Sequence, residues 1–217
     1  MSELTIGNRR VTTEQAIQWV SDYTSEPKDP NKPYGYPWYD TYDTGSSPLL
    51  VDGDLLAPVL LNVRPSIAAY KSLKGMTEHL NSVLREIPVE ASLLDTDDLS
   101  AIGRLYEPLN IDDDSHGVRG TTLAKVLHRK RPNLIPLFDA EIRKCYSSTH
   151  DGHAARIPRE RNRTWSAYMT LLAEAIRDDL RINQPEWAEV MNANQINPPI
   201  TLLRCFDIVA WKCGKTS

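Results

Sequence analysis

The 217-residue sequence predicts an all-α fold, on three observations. Apolar residues recur at i, i+3, i+4 through most long segments, residues that open helices precede several of those stretches, and no alternating run of useful strand length stands out. Thr12 and Gln15 suit a capping box for a helix to about Tyr23, with Ala16, Ile17, Trp19 and Val20 on its apolar side. A loop rich in proline and aromatics follows over residues 26–48, then a helix near residues 54–62. Pro65, suited to a first helical position, starts another helix to about Arg85 with a break at Gly75. Residues 95–107, 165–182, 186–191 and 199–212 are helical by periodicity, and residues 147–163 form a second long loop.

At 41% hydrophobic and 25% charged residues, the chain is expected to form one globular unit over residues 1–217. A subdivision falls at residue 95, between N-terminal helices with the aromatic loop and a C-terminal half from residue 96. No apolar run reaches the length of a membrane span, and residues 1–10 lack the apolar centre of a signal peptide, so a cytoplasmic location and no membrane partner are expected. Cys145, Cys205 and Cys213 read as free thiols. His150 and His153 flank Asp151 without a downstream ligand pair, so no metal is expected. Phosphate-binding loops, dinucleotide fingerprints and nucleophile-elbow motifs do not occur, which sets kinase, dehydrogenase and serine hydrolase readings aside.

Residues 117–139, GVRGTTLAKVLHRKRPNLIPLFD, carry the strongest signal. Gly117 and Gly120 bracket Val118 and Arg119 ahead of Thr121 and Thr122, which can cap a helix to about Arg131. The N–H groups at such a helix start bind phosphate oxygens. Leu123, Val126 and Leu127 supply a packing face, and Lys125, His128, Arg129, Lys130 and Arg131 are expected to make the remainder cationic. Pro132 ends the helix, an apolar connector follows, and Asp139 stands where the next helix begins. Asp139 reads either as a helix cap or as a functional carboxylate.

This segment resembles the helix-hairpin-helix DNA glycosylases of the endonuclease III type. Their hairpin has the form L-P-G-hydrophobic-G, with the catalytic Asp 22 residues after its first glycine, and Asp139 lies 22 residues after Gly117. The run DLLAPVLLNVR at residues 54–64 is similar to that family's early helix, L-L-x-A-V-L-L-S-x-Q, and puts Arg64 at the polar position that wedges into the duplex. The resemblance implies a DNA glycosylase with Asp139 as the catalytic carboxylate and a DNA-binding set of Arg64, Gly117, Val118, Arg119, Gly120, Thr121, Thr122, Lys125, Arg129 and Lys130.

Three departures qualify it. Arg119 replaces the second hairpin glycine, and the 75 residues from Arg64 to Asp139 are fewer than in endonuclease III. Thr121 stands where backbone-cleaving members carry a lysine nucleophile, which implies a monofunctional, water-using enzyme, with Lys125 one turn on as a displaced amine. With only Cys205 and Cys213 near the C-terminus, no iron–sulfur cluster and no other cofactor are expected.

The net charge of −4 is unevenly distributed, since residues 119–163 hold eleven Lys or Arg against four acids. Such a segment suits a face that meets a polyanion, the alternative being a solvated run balanced by acidic helices. Residues 34–43 put five aromatics and two acids into ten positions. Of these, Tyr36, Trp38, Tyr39, Asp40, Tyr42 and Asp43 are candidates for a base pocket, or for a loop that covers the core. The alternative function is a non-catalytic helix-hairpin-helix protein that binds nucleic acid.

Overall fold

The computed structural model describes residues 2–25, 36–111 and 116–216, and of residues 36 and 37 the backbone alone. The described residues are mainly helical: α1 (Thr13–Thr24), α2 (Tyr36–Thr41), α3 (Asp52–Leu56), α4 (Ile67–Glu86), α5 (Ser100–Arg104), α6 (Gly120–His128), α7 (Ala140–Ser147), α8 (Trp165–Ile182), α9 (Gln184–Asn192) and α10 (Leu202–Lys215). Short 3-10 turns at Ala57–Leu61 and Glu107–Asn110 complete the helical set.

The N-terminus departs from the all-α expectation. Strands β1 (Glu3–Ile6) and β2 (Arg9–Thr12) pair antiparallel, Leu4 opposite Val11 and Ile6 opposite Arg9. Their two-residue turn, Gly7-Asn8, puts Gly7 at φ 63°, the glycine-favouring geometry of tight hairpins. The strands are too short for alternation to register as a periodic signal. The turn is held from the core, with Gly7 N–H donating to Asp179 Oδ2 at 2.6 Å and Asn8 N–H to Cys145 O at 3.0 Å.

Local chemistry sets the helix bounds. Thr12, Ser66, Thr164 and Thr201 each cap the following helix through their hydroxyl oxygen. Because Ser66 takes the cap, Pro65 lies outside α4 rather than at its first position, and Gly75 does not break that helix. The stretch near residues 54–62 is α3 followed by a 3-10 turn from Ala57, whose second residue, Pro58, has no N–H for the i→i−4 ladder, and which is capped by left-handed Asn62. The helix expected over 95–107 shrinks to α5, because Ser92 O accepts from the N–H groups of Asp95 and Thr96 and turns the chain first.

One cluster of buried side chains runs from Leu4 to Cys213 and crosses the position of the expected subdivision. At its centre α10 packs on α7, α1 and α9, with every residue from Leu203 to Ala210 buried. The three cysteines are buried and none is joined in a disulfide. Among the described residues no helix is long and apolar enough to cross a membrane.

Candidate active site

Asp139 is the N-cap of α7, where its Oδ1 accepts from Glu141 N–H at 2.9 Å and Ile142 N–H at 3.0 Å. Both bonds go to one oxygen. Oδ2 accepts no hydrogen bond among the described residues and remains available to a ligand.

The carboxylate opens on a cleft of about 460 Å³, within the ~300–1,000 Å³ typical of ligand sites. Segments far apart in sequence form its walls: Leu61, Asn62 and Val63 at and just after the end of the 3-10 turn, Thr121 and Lys125 from α6, and Arg204, Asp207 and Trp211 from α10. Phe138 and Tyr23 add aromatic surface. Lys125 is 7% exposed and its Nζ donates to Leu61 O at 3.2 Å, which ties α6 to the turn leading into Arg64. Burial lowers the Lys125 pKa to about 8, against the opposing pull of the Asp139 charge.

The glycine-bounded turn at residues 117–120 leads directly into Thr121 of the cleft wall. Gly117 has φ 76°, a backbone that disfavours side chains, and a Cβ built there would lie 3.5 Å from Ser66 Oγ. Ser72 Oγ donates to His116 O at 3.2 Å, so the first half of α4 and the turn at Gly117 lie side by side. Val118 points inward, and a Cβ on Gly120 would fall on the Trp165 ring, so glycine lets that ring close over the helix start. Arg119 caps α6 through its backbone alone, its carbonyl accepting from Thr122 and Leu123 N–H. Thr122 is buried, and the side chains of Arg64 and Arg119 are exposed.

The expected cationic face of a helix running to Arg131 is corrected, because α6 ends at His128 and the basic side chains of Lys125 and residues 128–131 turn inward. Lys130 Nζ sits 2.7 Å from Asp54 Oδ2, and Arg129 Nε 3.5 Å from Asp54 Oδ1. Arg129 also donates to Tyr39 O and Tyr42 O. Arg131 donates to Leu84 O, Ile87 O and Pro48 O, and His128 Nδ1 to Ile135 O. Buried charges require such partners, and Asp54 of α3 is the carboxylate that Arg129 and Lys130 meet. Of the remaining basic run, Arg156 pairs with Asp179 and Arg163 with Glu160, whereas Arg143, Arg159 and Arg161 stay exposed. Arg143, Arg159 and Arg163 border a second recess of about 400 Å³ that shares Phe138 with the Asp139 cleft.

The aromatic segment lies behind the cleft. Tyr39 is 1% exposed, and its OH donates to Lys125 O at 2.7 Å. Asp40 holds Arg204, Nε to Oδ1 at 2.7 Å, and so supports a cleft residue from outside. Trp38 and Tyr42 are exposed, Asp43 closes a turn on Gly45 N–H, and the Tyr36 side chain lies outside the described residues. None of the described members lines the Asp139 cleft.

Sequence reasoning missed Arg204 and Asp207. Two charged residues three apart inside LLRCFDIVAW, an otherwise apolar helix, were the available signal. Among the described residues no group of three or more His, Cys, Asp or Glu is placed to hold a metal ion.

A family model described as "Family of unknown function (DUF6308)" matches residues 16–214. No curated protein and no solved structure matches the chain.

Proposed function

We infer that this chain, which belongs to the DUF6308 family of unknown function, is a monofunctional DNA glycosylase that hydrolyses the N-glycosidic bond of a damaged or modified base. The observation that carries the reading is the state of Asp139. One oxygen is fixed by two backbone N–H groups, the other accepts no hydrogen bond among the described residues, and Asp139 lines a cleft together with Thr121, Lys125 and the turn before Arg64.

Breaking the bond builds positive charge on the sugar, and a fixed carboxylate beside C1′ stabilises it. Because Asp139 is held before the reaction begins, its reorientation costs little. Oδ2 also orients and deprotonates the attacking water. The base must leave the stack, at a cost of a few kcal/mol, offset by a wedge in the gap and by aromatic contacts. Arg64 is the wedge in this scheme, and Phe138, Tyr23 and Trp211 are the surfaces on which a flipped base stacks. The hairpin N–H groups with Arg119 grip the phosphates beside it. Arg129 and Lys130 take no part, since both are committed to Asp54.

The test is to incubate the protein with genomic DNA from several sources, including alkylated, oxidised and naturally modified DNA, and to analyse the low-mass fraction by mass spectrometry. A free base released by the wild type and not by Asp139→Asn supports the assignment; equal release by both contradicts it. The cap bonds of Asp139 favour a second reading, a helix-hairpin-helix protein that binds nucleic acid without chemistry. Under that reading both proteins bind DNA and release nothing.

A further inference from the structure

Asp207 is buried within the apolar stretch of α10, 1% exposed, yet it lines the same cleft as Asp139. A carboxyl among Phe206, Ile208 and Val209 is costly unless its oxygens are paired. Oδ2 accepts from Leu137 N–H at 3.3 Å, while Oδ1 is buried with no hydrogen-bond partner. Arg204, one turn earlier, donates none of its guanidinium hydrogen bonds to it. Its guanidinium is spent on Asp40 and on the Tyr23 hydroxyl.

Two carboxyls therefore face one cleft in opposite environments. Asp139 has helix N–H donors and a half-exposed position, and Asp207 is dry. The titratable groups around Asp207 are Arg204 and Cys205 on its own helix, Asp139 at the start of α7, Asp40 and Tyr39 from α2, Lys125 from α6, and Tyr106. Burial is the largest influence and pushes the carboxyl well above the usual carboxylate range. Arg204 and the Leu137 N–H oppose it, and the Asp139 and Asp40 charges add to it. Environments that separate two carboxyls in this way assign one as acid and the other as base.

Building on the glycosylase reading, we propose that Asp207 is the proton donor of the cleft, protonating the departing base while Asp139 serves the attacking water. The C1′–N bond breaks and its electron pair leaves with the base, which takes the Asp207 proton and departs neutral. The water oxygen bonds to C1′, and its proton passes to Asp139. Asp207, left as a carboxylate, regains a proton from solvent, and Asp139 returns its own as the abasic product leaves. Nothing is oxidised or reduced.

Asp207→Asn keeps the size of the side chain and an acceptor for Leu137 N–H but carries no transferable acid proton. Asp207→Leu, which fills the dry site without a polar group, replaces it if that variant does not fold. Two measurements are made: infrared spectra of the free proteins for the C=O band of a protonated carboxyl at neutral pH, and single-turnover base release against pH. The expected result is a band in the wild type that is lost in the variant, with release slowed by roughly 10²–10⁴-fold. The alkaline fall in rate, where the donor loses its proton, disappears from the variant's profile.

Absence of the band from the wild type overturns the proposal. So does a variant that is fast, or that is slow with the wild-type pH profile, since the second outcome marks a structural role. A wild type that releases no base from any DNA overturns the glycosylase reading itself. Release that survives Asp207→Asn overturns only the proton donor.

Discussion

Lys130 Nζ lies 2.7 Å from Asp54 Oδ2, and neither side chain is more than 4% exposed. The pair joins the turn after α6 to the middle of α3, and Asp54 also accepts from Thr44 Oγ1 and Val51 N–H. A residue expected to meet phosphate therefore organises the wall behind the cleft. Lys130→Met leaves Asp54 buried beside Arg129 alone and is expected to cost about 3–5 kcal/mol, the usual effect of stripping one partner from a buried pair. Urea denaturation measures it, and a loss near zero would show that the pair forms no part of the core.

DNA affinity should follow exposure rather than sequence. Arg64→Ala and Arg119→Ala are each expected to lower the slope of log affinity against log salt by about one, as loss of a phosphate contact does. Arg161→Ala, outside both recesses, serves as the comparison. Fluorescence anisotropy over a salt series checks this, and slopes unchanged in both variants would remove the hairpin and wedge from the interface.

His128 gives acid stability a definite sign. Its Nδ1 lies 2.7 Å from Ile135 O, and burial, followed by the Arg204 charge, pulls its pKa from 6.5 down to about 3. Between those values the unfolded chain binds a proton that the folded chain refuses. The contribution is complete above the unfolded pKa and is lost as pH falls toward the folded one, at no more than about 1.4 kcal/mol per pH unit. Asp207 and Asp179, both raised mainly by burial, act oppositely, since each binds a proton more tightly in the fold than in the unfolded chain and that contribution is lost as pH rises. The signature is thus a difference: stability of the wild type should fall more steeply than that of His128→Gln between pH 6.5 and 3. Parallel curves would contradict a neutral buried ring.

The helices were legible where periodicity and a capping residue coincide, as at Thr12 before α1 and in the long run of α8. The hairpin β1–β2 was not, because four-residue strands give too few positions for alternation to stand out. At the site, the spacing from Gly117 to Asp139 identified a carboxylate that the fold sets on a cleft beside Thr121 and Lys125. The same segment misled about Arg129, Lys130 and Arg131, whose partners Asp54, Leu84 and Ile87 lie far away in sequence. Charge in a sequence does not say which way a side chain faces. For Asp207 the information was present, an acid inside an apolar helix, but only the fold places it beside Asp139.

Asp139→Asn isolates chemistry from scaffold. The amide oxygen still accepts the Glu141 and Ile142 N–H bonds, so stability should stay within about 1 kcal/mol of the wild type, while the charge beside C1′ is gone. Asp139→Ala, which loses the cap as well, should cost about 1 kcal/mol more.

The most direct measurement is the count of abasic sites, revealed by alkaline strand cleavage, on one susceptible DNA treated with wild type or Asp139→Asn at matched DNA occupancy. Asp139-dependent hydrolysis predicts sites with the wild type alone and unchanged affinity in the variant. Equal numbers of sites with both proteins would contradict it.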